Sequence, residues 1–301
     1  MTAGEAVLLV SLMTLALVVA TAVRWRWRDS RGDQGLVDQL LAFQPTMPNR
    51  FDPSMVAHLP DPARRYFHFT IETGTPLYTV AEIEMTGRLG LGSKTAPGYK
   101  PMRATQVLAA PFGFIWQVRT GGRFGQISGT DAAGPKDSWS RFWLLGLIPV
   151  GRGGHTEDHA RSSFGRLVAE AAFWAPAALL PSATTRWEAG DNGAARVVVT
   201  FNGMEQALDI AVAEDGQPLS VRLLRWSNAN PEKTFRLQPF GGTLSDFKVF
   251  SGYRLPTRVD GGNFFGTDDY FPFFQAEISD VRFPARPGNG CPDGGLPAAS
   301  G

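Results

Sequence analysis

Cysteine is almost missing from this chain of 301 residues: Cys291 stands alone, so no intrachain disulfide can form and the fold does not depend on oxidation. An excess of charge of either sign is missing too. The net charge is +1 at pH 7, which argues against a nucleic-acid footprint and implies no electrostatic partner. Motifs of phosphate and acyl chemistry are also lacking. There is no G-x-S-x-G elbow and no Walker loop, and Gly87, Gly90 and Gly92 lie at the end of a strand-like stretch, so a dinucleotide site is not expected. Long apolar runs are confined to the N-terminus, and the chain shows no internal repeat.

Hydrophobic residues make up 43% of the chain and charged ones 19%, enough for one large or two small cores. The 34 Gly and 22 Pro fall mostly between short apolar runs, which leans towards a β-rich chain with many turns. Ala81, Ile83, Met85, Leu89 and Leu91 alternate with Glu82, Glu84, Thr86 and Arg88, a strand with one dry and one wet face. Further strands are expected over 102–109, 114–119 and 123–128. Later ones follow over 184–188, 195–201, 207–213 and 219–226, then 243–250, 253–265 and 270–283. The dipeptides Asn192-Gly193, Asn202-Gly203 and Asp215-Gly216 suit tight hairpins, so roughly eleven antiparallel strands are expected in all.

Between the two strand-rich halves lies the clearest helix of the soluble part. Ala160, Phe164, Leu167, Val168 and Ala171 form one apolar stripe, Thr156 can cap its start, and Pro176 ends it near Trp174. Arg166 and Glu170, one turn apart, can pair. An apolar hook runs on to Pro181, and residues 138–150 before the helix are unusually aromatic, so 138–181 reads as a helical insertion laid over a sheet. At the N-terminus, Ala6 to Val23 is uncharged and long enough to span a bilayer. Arg24, Trp25, Arg26, Trp27 and Arg28 follow it, whereas no Lys or Arg precedes it. This pattern predicts an uncleaved single-pass anchor with the soluble domain on the cytoplasmic side.

The expected organisation is therefore an anchor and its basic, aromatic flank over 1–31, and a linker with short helices over 32–76. An antiparallel β domain over 77–283 carries the helical insertion, and 284–301 reads as a disordered Pro/Gly/Ala tail. The fold class is mainly β: a large curved antiparallel sheet or open half-barrel covered by a central helix, plus one N-terminal transmembrane helix.

Chemistry is sparsely signalled. His155 and His159 are four apart, but the glutamate of a zinc-protease helix is misplaced and no third ligand is marked, so no metal and no cofactor are expected. Asp131, Asp158, Glu170, Asp268 and Asp269 could supply the acid and base of a hydrolase, yet nothing in the sequence brings any two together. Aromatic residues are the remaining signal. A greasy cavity between sheet and helix would be lined by Trp116, Trp139, Trp143 and Trp174, with Arg166 and Glu170 at its rim latching the helix or recognising a headgroup. The expected partner is then a membrane lipid or an apolar small molecule. The alternatives are a hydrolase and a scaffold that recruits a protein to the membrane.

Six stretches in order, LPDPARRYFHFTIETG, PFGFIW with Asp131 downstream, SWSRFWLLGLIPVGRGG, GRLVAEAAFWAPAALLP, RWSNANPEKTFRLQPFGG and GYRLPTRVDGGNFFGTDDYFPFF, resemble a bacterial family of membrane-anchored proteins built on a domain of unknown function. That resemblance covers about Leu59 to Phe283 and brings no assigned catalytic residue. In architecture the chain also looks like the open half-barrels of lipoprotein carriers and related lipid-binding proteins, which implies a ligand held in the concavity.

Overall fold

The computed structural model describes residues 2–122 and 125–285, the side chain of Asn192 excepted. Among the described residues three α-helices, α1 (Ala3–Leu41), α2 (Asp61–Thr70) and α3 (Glu157–Trp174), accompany thirteen strands. The first six are β1 (Val80–Gly90), β2 (Tyr99–Ala109), β3 (Gly113–Thr120), β4 (Ile127–Ala133), β5 (Ser138–Leu144) and β6 (Ile148–Gly154). The other seven are β7 (Thr185–Ala189), β8 (Ala195–Phe201), β9 (Met204–Val212), β10 (Pro218–Ser227), β11 (Arg236–Phe250), β12 (Tyr253–Asn263) and β13 (Phe271–Arg282).

All thirteen belong to one antiparallel sheet, in the order β6-β5-β4-β3-β2-β1-β13-β12-β11-β10-β9-β8-β7. Every hairpin neighbour is sequential except at the seam, where β1 pairs with β13 from Glu82↔Arg282 to Leu89↔Phe274. The chain thus works outward from β1 to β6, crosses the concave face through α3, and returns inward from β7 to β13. The result is a curved half-barrel with a helix laid across its hollow.

The period of two decides which side chains enter that hollow. On β3, Phe114, Trp116 and Val118 join the inner core with Phe164, Leu167, Val168 and Phe173 of α3, while Ile115 faces the other way. The outer face is covered as well. Val80, Val107, Ala109, Ile115, Ala132 and Trp139 pack against Leu36 and Leu40 of α1. The inner core is extended by α2, whose Tyr66 hydroxyl donates to the Ala172 carbonyl at 2.6 Å.

Two expected boundaries change. The linker expected from residue 32 does not begin there: α1 runs unbroken to Leu41, and Asp29 and Asp33 are buried against the sheet. Docking supplies their partners, Arg152 to Asp29 at 2.7 Å and the Trp139 indole to Asp33 at 3.1 Å. The helical insertion is also shorter than 138–181. Residues 138–154 form the β5–β6 hairpin, because Trp139, Arg141 and Trp143 alternate with Ser140 and Phe142, a period of two hidden by the aromatic content. Only α3 and the single turn Pro176–Leu179 remain helical, and Thr156 caps α3 by accepting from the His159 amide at 3.2 Å. Of the tail expected over 284–301, residues 286–301, Cys291 included, lie outside the described residues, as do two residues of the strand expected over 123–128.

Candidate functional site

Between α3 and the inner face of the sheet lies a cavity of about 400 Å³. Its walls come from β1, β3, β4, β5, β10, β11, β12 and β13, which only the curvature of the sheet brings together around one helix. Leu89, Phe142, Phe173, Phe240 and Phe274 form its apolar side. The floor is partly bare backbone: a Cβ built on Gly261 would meet only the Gly241 carbonyl oxygen, at 3.7 Å.

The polar side is built around Arg166. Its Nε donates to Glu170 Oε1 at 2.7 Å, one nitrogen of the fork donates to Asp131 Oδ2 at 2.6 Å, and the other to Gln106 Oε1 at 3.2 Å. Gln106 Nε2 completes the ring with a 2.6 Å bond to Glu170 Oε2. Burial alone would lower the Arg166 pKa, but the carboxylates of Glu170 and Asp131 outweigh it and hold the guanidinium above its ordinary value. The guanidinium also lies over the Phe114 and Trp116 rings, 4.5 and 5.3 Å from their centres. These bonds tie α3 to β2 and β4.

A second branch runs from Asp131 to Ser140 (2.6 Å), from Ser140 to His159 Nε2 (3.0 Å), and from His159 Nδ1 to Ser138 Oγ (2.8 Å). A serine and a histidine at this distance are in reach for nucleophile activation. The Ser140 hydroxyl has one proton, however, and the carboxylate is the stronger and nearer acceptor. The serine therefore donates to Asp131, and His159 Nε2–H donates to the serine. Burial, with Arg225 and His155 adding to it, pushes the His159 pKa down against the pull of Asp131 and Asp137. The ring is accordingly neutral near pH 7.

Arg225, on β10, has a different environment. Its Nε donates to the Ser162 carbonyl at 3.0 Å and its guanidinium lies 4.7 Å from the Phe240 ring centre. Its two terminal amino groups make no hydrogen bond among the described residues. Burial and the nearby Arg166 push its pKa down to about 10, although Asp131 and Glu170 oppose the shift.

Of the six side chains expected around the space, Trp116, Arg166 and Glu170 stand in its wall. The other three do not. Trp139 and Trp143 are on the outer face of β5, the first bonded to Asp33 and the second edge-on to Trp25 of α1 at 5.4 Å. Trp174 is wholly buried in the core, its ring against Phe173 at 4.6 Å. The strand parity of β5 puts Ser140 and Phe142 inside in place of the tryptophans.

Gln106, Ser140 and Arg225 join the site unannounced by any motif, and Asp131 and His159 find partners that local sequence does not show. A signal for two of them was present: Gln106 follows Met102 and Ala104 on the dry face of β2, and Arg225 follows Val221 and Leu223 on that of β10. Among the described residues no cluster of three or more His, Cys, Asp or Glu could hold a metal ion. His155 instead turns to Asp137, at 2.8 Å.

Fold and cavity together define a class: an antiparallel half-barrel with a helix across its hollow and an apolar N-terminal helix in front. Within that class, the chain belongs to a family of unknown function, DUF6544, whose model matches residues 49–276. No curated protein matches it. Among solved structures it is similar to a crystal structure described as an outer membrane lipoprotein-sorting protein domain from Vibrio parahaemolyticus. The identity is 13%, over 68% of this chain and 85% of that one, with a TM-score of 0.33. Nothing is transferred from so distant a likeness.

Proposed function

We propose that this protein binds an amphipathic, lipid-like molecule in the cavity between α3 and the sheet. The observation that carries the reading is the polarity of that cavity. One side is apolar, with Leu89, Phe142, Phe173, Phe240 and Phe274. The other presents the half-buried Arg225, a cation whose terminal amino groups make no hydrogen bond among the described residues and whose pKa is pushed down to about 10. A half-buried guanidinium in that state is stabilised by an anionic or strongly polar group, and the aromatic wall by hydrocarbon. Arg166, Asp131, Glu170 and Gln106 satisfy one another, so they serve to hold the wall in place.

We further propose that Ala6 to Val23 spans the bilayer. The basic residues after it favour a cytoplasmic half-barrel, and the tether keeps the cavity close to its source of ligand.

The test fills the cavity floor. Gly261 has no positive φ and open space beyond its Cβ position, so Gly261→Phe is accommodated by the backbone and occupies the ligand's volume. Protein lacking residues 1–23 is purified without detergent and its organic extract examined by mass spectrometry. A stoichiometric amphiphile in the parent and none in Gly261→Phe is the expected result. An empty parent, or equal loading of both, would remove the proposal.

A further inference from the structure

We infer that the tip of the β5–β6 hairpin is a wedge that inserts into the same bilayer that α1 crosses; this rests on reading Ala6 to Val23 as a membrane span. The tip carries Leu145, Leu147, Ile148 and Val150, exposed by 54%, 39%, 53% and 50%. Four large apolar side chains on the turn and the first residues of β6 are an unusual surface to leave in water.

The occupant follows from how α1 lies along β5. Asp33 touches Trp139 (3.1 Å), Asp29 lies 3.6 Å from Arg141, and Trp25 meets Trp143 edge-on at 5.4 Å. Going towards the N-terminus of α1 therefore means going along β5 towards its tip. Four helical residues rise about 6 Å and two strand residues about 6.6 Å, so the two elements keep pace. β5 ends at Leu144, one residue beyond Trp143, so the turn that starts at Leu145 continues past the level of Trp25 towards the uncharged run that ends at Val23. The tip thus reaches past the basic collar to the depth of the hydrocarbon boundary. Leu12, Leu15, Val18 and Val19 of α1 are exposed as well, so both elements offer apolar side chains on the same side of the basic collar.

The junction between the two elements suits the headgroup layer. Arg152 stacks over Trp25 at 4.6 Å and bonds Asp29, and Arg26 lies over Trp143 at 5.7 Å. Indoles and guanidiniums of this kind belong at the interface, with the leucines of the tip below them. Two attachment points, a helix and a hairpin, fix the tilt of the half-barrel on the membrane, which a single helix leaves free.

The full chain is reconstituted in vesicles of phosphatidylcholine and phosphatidylglycerol, with Cys291→Ser as background. Single cysteines at Leu147→Cys, Leu12→Cys and Leu224→Cys each carry an environment-sensitive nitrobenzoxadiazole dye. The inference expects the dye at positions 147 and 12 to be several-fold brighter than at 224 and quenched by spin-labelled lipid, with 224 quenched by aqueous iodide. Lipid quenching at 12 with only iodide quenching at 147 leaves the span intact and overturns the wedge. Iodide quenching at 12 overturns the span, and the wedge with it.

Discussion

His159 shows how one side chain couples the cavity wall to pH. It sits in the first turn of α3, bonded through both ring nitrogens to serines of β5, and burial holds its pKa below the ordinary value. The unfolded chain therefore takes up this proton before the folded one does. Stability from this residue is intact above about pH 6.5 and is lost as the pH falls from there towards the lowered native pKa. His159→Gln should narrow the difference in melting temperature between pH 7 and pH 5. An unchanged difference would mean that carboxylates alone set the acid sensitivity. None of this was legible in the sequence beyond the two histidines four apart, because the partners Ser138 and Ser140 come from a hairpin whose strand parity was masked by tryptophans.

At the scale of the element, α3 was the most legible part of the chain: stripe, cap and terminus all follow from local periodicity and chemistry, as does the Arg166–Glu170 pair. What that spacing could not show is that Arg166 is also held by Asp131 of β4 and Gln106 of β2, which converts a surface pair into a buried ring. Arg166→Met would leave the buried Glu170 and the half-buried Asp131 without their cation, at a cost of about 3 kcal/mol, the lower end for a buried pair. Chemical denaturation should report that loss. The triple variant with Asp131→Asn and Glu170→Gln should recover part of it, because the uncompensated charge has gone. A single variant as stable as the parent would show that α3 is held by its apolar stripe alone.

For the whole molecule, the decisive arrangement is a sheet whose first and last strands meet at the β1–β13 seam while α1 and α3 cover opposite faces. The second half of α1 is then a structural part of the domain and not a tether. Removing residues 1–23 should leave the melting temperature unchanged, since none of the apolar first half is buried. Removing residues 1–41 uncovers Val80, Val107, Ile115, Ala132 and Trp139 and should cause self-association; a monomer of unchanged stability would refute the docking.

By itself the sequence determined the kinds of element and their order: an apolar N-terminal helix, strands on either side of one amphipathic helix, and tight turns at Asn202-Gly203 and Asp215-Gly216. These depend on neighbours a few residues apart, where period, capping and φ preferences act. The tertiary structure alone decided which tryptophans enter the hollow, which polar residues meet there, and that a stretch as polar as 29–35 is helical. Each of these rests on which strands pair and in what register. A shift of one residue along a strand exchanges its two faces, and the partners come from other elements: Trp139 lies 106 residues from Asp33, Asp131 lies 35 from Arg166, and His159 lies 19 from Ser140. Local pattern carries no record of such pairings, so the cavity showed in the chain only through Trp116, the Arg166–Glu170 pair and polar residues at dry-face positions.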